Sequence, residues 1–355
     1  MRDALRRVTP VVRVAPAKLN LTLAIVGRRE DGFHALHSVM VRLEIADRLA
    51  LAPAFAPGDR LHVTGAATSE VGPADMGPPD RNLVLRAIGA ARAACRAQGV
   101  DADLPALAAR LEKRIPVAAG LGGGSSDAAA AIDAALEAWG VAGAVAPTDR
   151  ASIASSLGSD VPFFLAGGWA LVEGRGERVT PLPAPRGPEP AVLLVTPGIG
   201  VSTAAVFAAF AGGARPAPGA ALASSRHLAG ELAAGMTAAR FVERAGIMAV
   251  ANDLAPATAA VAPALVPFRR ALGRLVGRPV GQSGSGPTLW VLYPSMAAAE
   301  TAAIDVRAAL AAGELPATGE RPPFVCATRI HAGDPGSPVD AGLGRLAPTT
   351  HDGGT

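Results

Sequence analysis

Between Pro116 and Asp127 the chain reads Pro-Val-Ala-Ala-Gly-Leu-Gly-Gly-Gly-Ser-Ser-Asp, with glycine at 120, 122, 123 and 124. Glycine admits positive φ and lets backbone N–H groups come close to a ligand. A helix-forming run follows at once, and Ser125 or Ser126 is placed to cap it. A helix N-terminus offers unpaired N–H donors and the positive end of the macrodipole, so the stretch suits an anion. A plain turn before a helix needs one or two glycines, and four point to a phosphate cradle. The cradle is not one of three familiar kinds. A Walker loop requires Lys where Ser125 stands, and no frame gives Gly-x-Gly-x-x-Gly. The His-Arg-Asp and Asp-Phe-Gly pair of protein kinases is absent as well.

Three other places carry groups able to do chemistry. Ala17 to Val26 alternates as a strand, with Leu19, Leu21, Leu23 and Ile25 on the core face and Lys18, Asn20 and Thr22 on the other. Lys18 is then either an active amine or an ordinary lysine on a solvated sheet face, and the strand alone does not decide. Gly27 to His34 is polar and turns at Asp31-Gly32. Phe33 and His34 just beyond it could stack on and hydrogen-bond a base, although Phe33 plugging a core edge with His34 exposed is the simpler reading. Asp160 lies between a helix end and an apolar run. It is either a turn acid or a partly buried carboxylate near the cradle.

The elements that must position these groups follow from periodicity and breakers. Short strands are predicted at Val11–Val14, Leu107–Ile115, Ala191–Thr196, Thr288–Tyr293 and Phe324–Ile330, a longer one at His37–Leu51, and a hairpin over Trp169–Glu173 and Glu177–Val179. Helices are predicted at Asn82–Gln98, Ser126–Trp139, Pro147–Leu157, Ser202–Phe210, 222–234, 256–276 and Met296–Ala311. The cradle therefore sits between a strand and a helix. Five prolines between Pro181 and Pro190 mark a domain boundary. Ala211–Gly219 is predicted to be a mobile surface insert and 332–355 a disordered tail.

Composition excludes several classes. The 355 residues are 50% hydrophobic and 18% charged, enough for two domains with substantial cores. Lys+Arg number 33 against 30 Asp+Glu, and aromatics are 4%. No basic block with interleaved aromatics exists, so nucleic acid is not expected as a partner. Cys95 and Cys326 stand alone, which fits a reducing cytoplasm. The first residues lack an apolar leader core, so no signal peptide is expected. No apolar run is long enough to cross a membrane, since even 245–268 holds Asp253 and three prolines.

Pro16-Ala17-Lys18-Leu19-Asn20, the 120–126 loop and Gly284-Ser285-Gly286, in that order and spacing, resemble the three motifs of the GHMP kinase superfamily. The resemblance covers about residues 12–331. The Gly27–His34 stretch, the triple glycine and Leu157-Gly158-Ser159-Asp160-Val161-Pro162-Phe163-Phe164 further resemble the members of that superfamily that act on a cytidine-diphosphate-linked methylerythritol. Others more often carry Gly-Leu-Gly-Ser-Ser and lack the Asp-Gly-Phe/Tyr-His station.

The resemblance implies an α+β, two-domain fold. A ribosomal protein S5 domain 2-like domain would span 1–180 and a ferredoxin-like α/β sandwich 190–331. It implies a cytoplasmic small-molecule kinase using ATP and Mg²⁺. Lys18 and Asp160 match the catalytic pair. Pro116, Val117, Ala118, Ala119, Gly120, Leu121, Gly122, Gly123, Gly124, Ser125 and Ser126 match the ATP phosphate loop. Phe33 and His34 match residues holding cytosine, and Asn20 one near the substrate. The Mg²⁺ ligands are unassigned, with Ser126 a candidate. Ala119 departs from a common glycine, and Pro287 from a usual alanine. Rival readings are a homoserine- or mevalonate-type GHMP kinase and an inactive GHMP-fold sensor. The first would have no base for Phe33 to stack on, and loss of Lys18 or Asp160 would favour the second.

Overall fold

The computed structural model describes residues 9–54, 57–65, 81–100, 103–213, 219–319 and 321–331. The tail 332–355 and most of the 211–219 insert lie outside these residues.

A 20-residue strand is the spine of the first sheet. It is β3 (His34–Pro53), preceded by β1 (Val11–Asn20) and β2 (Ala24–Arg28). β1 and β2 lie antiparallel along β3, β1 against its later part and β2 against its start. β4 (Arg60–Thr64), β5 (Leu107–Glu112), β6 (Trp169–Gly174) and β7 (Arg178–Leu182) complete seven strands in the order β4-β5-β3-β6-β7. Pro181 is tolerated because β7 is an edge strand.

The predicted strands at 11–14 and 17–26 are divided differently. β1 runs unbroken to Asn20, with a register shift between Pro16 and Lys18, and the chain breaks only after Asn20. Proline lacks the N–H that a regular ladder needs, so the irregularity falls beside it.

On one face of this sheet lie α1 (Leu83–Ala97), capped by the Asn82 side chain, and α2 (Gly123–Ala138). Ala128, Ala131, Ala134 and Ala135 of α2 are fully buried, and Ile132 and Leu136 fill the space between layers. Small side chains let the helix sit close to the sheet. α3 (Pro147–Leu157) and α4 (Val161–Ala166) close this side.

The second sheet holds β8 (Ala191–Thr196), β9 (Gly281–Gln282), β10 (Leu289–Tyr293) and β11 (Phe324–Arg329) in the antiparallel order β11-β8-β10-β9. That order is the split βαβ arrangement. Between β8 and β9 run α5 (Thr203–Gly212), α6 (Ala220–Ala233), α7 (Ala238–Glu243), α8 (Ala245–Val250), α9 (Ala255–Val261) and α10 (Leu265–Val276). α11 (Met296–Ala311) joins β10 to β11. The helix expected over 256–276 is two helices, because Pro263 cannot continue α9. β8 is buried on both faces. Leu193 and Val195 pack with α10 and α11, while Val192, Leu194 and Trp290 meet Leu19, Val39 and Val41 of the first sheet. That shared apolar layer holds the two sheets together and fixes the cleft between them.

Candidate active site

The loop after β5 reaches α2 through two left-handed glycines, Gly120 (φ 77°) and Gly122 (φ 69°). Gly122 is the N-cap, and no side chain caps the helix. The expected caps, Ser125 and Ser126, are instead inside the first turn. The positive φ at Gly122 turns the chain directly into the helix, three residues earlier than predicted. The leading N–H groups are consequently left free of any side-chain cap, and the first turn holds no acidic residue. Pro116 to Gly120 and Gly122 to Ser125 line a cleft of about 980 Å³. Leu121 and Ser126 do not line it. Leu121 packs into the apolar layer, and the Ser126 hydroxyl is buried without a partner. Ala119 fits the loop without strain. The non-glycine residue held at positive φ is its neighbour Ala118 (φ 55°), a conformation costing roughly 1–2 kcal/mol. Pro287 does not prevent the third loop from docking, because Thr288 N donates to Ala119 O at 3.3 Å and Ser283 Oγ to Gly120 O at 2.9 Å.

β1 delivers Lys18 to the mouth of this loop. The Lys18 backbone N donates to Leu121 O at 2.9 Å. The side chain is buried, and its Nζ donates to Asn20 Oδ1 at 2.5 Å. Asp160 Oδ2 lies 3.4 Å from the same Nζ. Asp160 heads α4, where Val161-Pro162 starts a short helix after the Gly158 turn. Its side chain is 30% exposed, whereas that of Lys18 is 5%. The carboxylate therefore faces the cleft while the ammonium supports it from behind. Lys18, Asn20 and Thr22 do lie away from the leucine face, as the alternation predicts, but at 1–4% exposure they are covered rather than solvated.

The 27–34 stretch forms a tight turn. Asp31 Oδ1 accepts from Phe33 N at 3.1 Å, and Arg29 N donates to Phe33 O at 2.8 Å. Phe33 is 51% exposed at the cleft, with the Arg175 guanidinium 5.0 Å from its ring centroid. It does not plug the core. His34 stacks on Phe207 of α5 at 5.4 Å and meets Phe210 edge-on at 5.7 Å. Phe33, His34, Asn20, Lys18, Asp160 and the glycine loop thus share one cleft. Five cations, Lys18, Arg28, Arg81, Lys113 and Arg175, line it against two carboxylates, Asp127 and Asp160. That balance suits a ligand with several negative charges.

Sequence reasoning missed Phe207 and the charges under the loop. An aromatic pair in an alanine-rich helix was the available signal for Phe207. Lys113 Nζ bonds Asp47 Oδ2 and also Asp127 Oδ2, the latter at 2.7 Å. Asp47 Oδ1 accepts from Arg114 N at 2.6 Å and from Ile115 N at 2.9 Å. One ammonium shared by two buried carboxylates cannot neutralise both. Burial raises the Asp127 pKa to about 7, Lys113 opposes that shift and Asp47 adds to it. Burial also works against the Lys113 charge, but Asp127 and Asp47 outweigh it and raise the Lys113 pKa. The cluster is therefore neutral when Asp127 keeps its proton.

Among the described residues no group of three His, Cys, Asp or Glu side chains could hold a metal. A Mg²⁺ held mainly by phosphates needs only one or two protein oxygens. Ser125 Oγ faces the Gly158 turn that leads to Asp160, so these two groups fit such an ion better than the enclosed Ser126 does.

Residues 82–168 match the family model for the GHMP kinases N terminal domain. A 4-diphosphocytidyl-2-C-methyl-D-erythritol kinase of Pelotomaculum thermopropionicum is 39% identical over 298 residues, covering 84% of this chain and 94% of that protein. One from Paramagnetospirillum magneticum is 38% identical over 83% of this chain and 93% of its own length. A crystal structure of 4-(cytidine 5'-diphospho)-2C-methyl-D-erythritol kinase superposes with a TM-score of 0.60 at 31% identity, covering 90% of this chain and all of that one. A homoserine kinase from Cytophaga hutchinsonii, at TM-score 0.63 and 16% identity, shares the fold. With this identity sustained over nearly the whole of its relatives, the chain belongs to the 4-diphosphocytidyl-2-C-methyl-D-erythritol kinase family of the GHMP kinases.

Proposed function

We propose that the chain transfers the γ-phosphoryl group of ATP to the 2-hydroxyl of 4-(cytidine 5'-diphospho)-2-C-methyl-D-erythritol, in the non-mevalonate route to isoprenoid precursors in the cytoplasm. The observation that carries this reading is one cleft holding the Lys18–Asp160 pair, the uncapped helix N-terminus and the Phe33–His34 turn. Phosphoryl transfer asks a protein for positioning and charge neutralisation more than for covalent help.

The roles follow from placement. Asp160 accepts the proton of the acceptor hydroxyl as its oxygen bonds to the γ-phosphorus and the bond to the ADP oxygen breaks. Lys18, 3.4 Å from Asp160, steadies the attacking oxygen and the carboxylate beside it. Backbone N–H groups of Gly123, Gly124 and Ser125 receive the phosphates. A bound Mg²⁺ would neutralise charge on the triphosphate, next to Ser125 and Asp160. Phe33 offers a flat face to the cytosine, and His34, stacked on Phe207, offers a polar edge. Arg28 and Arg175 are the cations placed to meet the diphosphate of the acceptor.

The test is a coupled ADP-release assay on the purified chain with ATP. Cytidine diphosphate methylerythritol should be phosphorylated, and the same sugar without its cytidine diphosphate should not. Comparable turnover of homoserine or mevalonate would overturn the reading.

A further inference from the structure

The amide of Asn20 can be placed two ways, and only one presents an oxygen to Lys18. The geometry points to Ser38 as the residue that chooses between them, and we propose that Ser38 is a positioning residue for the Lys18 ammonium. This rests on the reading of Lys18 and Asp160 as the reacting pair.

The argument is one of proton counting. A serine hydroxyl has a single proton to donate. Ser38 Oγ lies 2.6 Å from the Thr22 carbonyl oxygen, which can only accept. That bond uses the proton of Ser38. Toward Asn20, 2.9 Å away, Ser38 can then only accept, so the atom facing it must be the amide nitrogen. Asn20 Oδ1 is consequently turned to Lys18 Nζ. A flipped amide would aim N–H groups at an ammonium and leave Ser38 facing an acceptor without a proton to share.

The frame behind Ser38 is fixed as well. Thr22 Oγ1 accepts from Val39 N at 3.1 Å and lies 2.8 Å from Ser225 Oγ on α6. Ser38 is fully buried, so no solvent water competes for its lone pairs. Asn20 also meets the third loop, through its backbone N–H, which Ser283 Oγ accepts at 3.3 Å, and through its Oδ1 beside Gly284. Among the described residues, Ser38 is thus the side chain that accepts from the Asn20 amide nitrogen. Without it the amide nitrogen loses its acceptor, only the ammonium itself holds the oxygen in place, and the aim of Lys18 toward Asp160 is less fixed.

The experiment compares Ser38→Ala, Ser38→Cys, Asn20→Ala and the double variant Ser38→Ala/Asn20→Ala by steady-state kinetics and thermal unfolding. Ser38→Ala should lower kcat about tenfold, with KM for both substrates within about twofold of the parent. Ser38→Cys, which keeps the shape with a weaker acceptor and survives if the alanine variant does not fold, should lie between the two. In the Asn20→Ala background, removing Ser38 should change kcat less than about twofold, because its target is already gone. Parent-like kcat in folded Ser38→Ala, or effects that multiply in the double variant, would overturn the proposal while leaving the Lys18–Asp160 reading standing. Parent-like kcat in Asn20→Ala would overturn both the proposal and the part of that reading that runs through Asn20.

Discussion

Replacing Asp127 by asparagine should make the protein less sensitive to pH rather than weaker. Asp127 ordinarily titrates near 3.8, and burial lifts it to about 7 in the fold. The unfolded chain therefore loses this proton some three pH units before the folded chain does. Between pH 4 and 7 the folded state binds the extra proton, so stability falls as pH rises through that window and is level above it. At about 1.4 kcal/mol per unit, the full span is at most about 4 kcal/mol. Lys113, held between Asp47 and Asp127, already offsets part of the burial effect within that value without changing its sign.

Asparagine keeps an oxygen for the Lys113 ammonium and removes one negative charge, leaving Lys113 and Asp47 as a neutral pair. Urea unfolding at pH 5, 6.5 and 8 measures the effect. The parent should lose stability across this series and Asp127→Asn should lose much less. At pH 8 the variant should equal or exceed the parent. Parallel curves would refute the reasoning. So would a loss in the variant of 3–5 kcal/mol at pH 8, the magnitude expected if a fully ionised buried pair had been broken.

Two further outcomes bear on the chemistry. Asp160→Asn should leave thermal stability and ATP binding intact and lower kcat by about 10²–10⁴, the range for a positioned base; near-parent turnover would remove Asp160 from that role. Phe33→Ala should raise KM for the cytidine substrate and leave KM for ATP unchanged, because the 51% exposed ring belongs to the 27–34 turn and not to the glycine loop; equal effects on both would contradict the placement.

Where one stretch of chain makes an element by itself, the sequence was readable. The alternation of Leu19, Leu21 and Leu23 against Lys18 and Asn20 and the limits of the 147–157 and 296–311 helices come from local pattern. The two-loop approach to Lys18 was legible only as motifs in order. What was hidden depends on partners far apart in the chain. Asp47 of β3 meets Lys113 after β5, and Phe207 of α5 meets His34 at the start of β3. Asp47, Lys113 and Phe207 are unremarked residues until the fold supplies their partners. The early start of α2 was hidden for another reason. Two serines looked like caps because cap preference is a local statistic, while the backbone at Gly122 makes a cap unnecessary.

The three consecutive glycines of the loop are not equivalent, and their differences separate packing from ligand binding. A Cβ at Gly122 would lie 2.8 Å from Lys18 Cγ and 3.1 Å from Phe164 Cζ, at a φ of 69° that side chains rarely adopt. At Gly123 it would press on Ile115 and Lys113 at 3.2 Å. At Gly124 the nearest atom is Leu83 Cδ1 at 3.8 Å, an ordinary contact, and φ is not positive. Nothing within the protein therefore demands glycine at 124, yet the residue lines the cleft. Gly124→Ala should stabilise the helix start by up to about 1 kcal/mol through propensity. If a phosphate must approach the backbone there, the same change should raise KM for ATP severalfold while KM for the acceptor holds. A stabilised variant with unchanged KM for ATP would mean that the phosphates sit elsewhere along the loop.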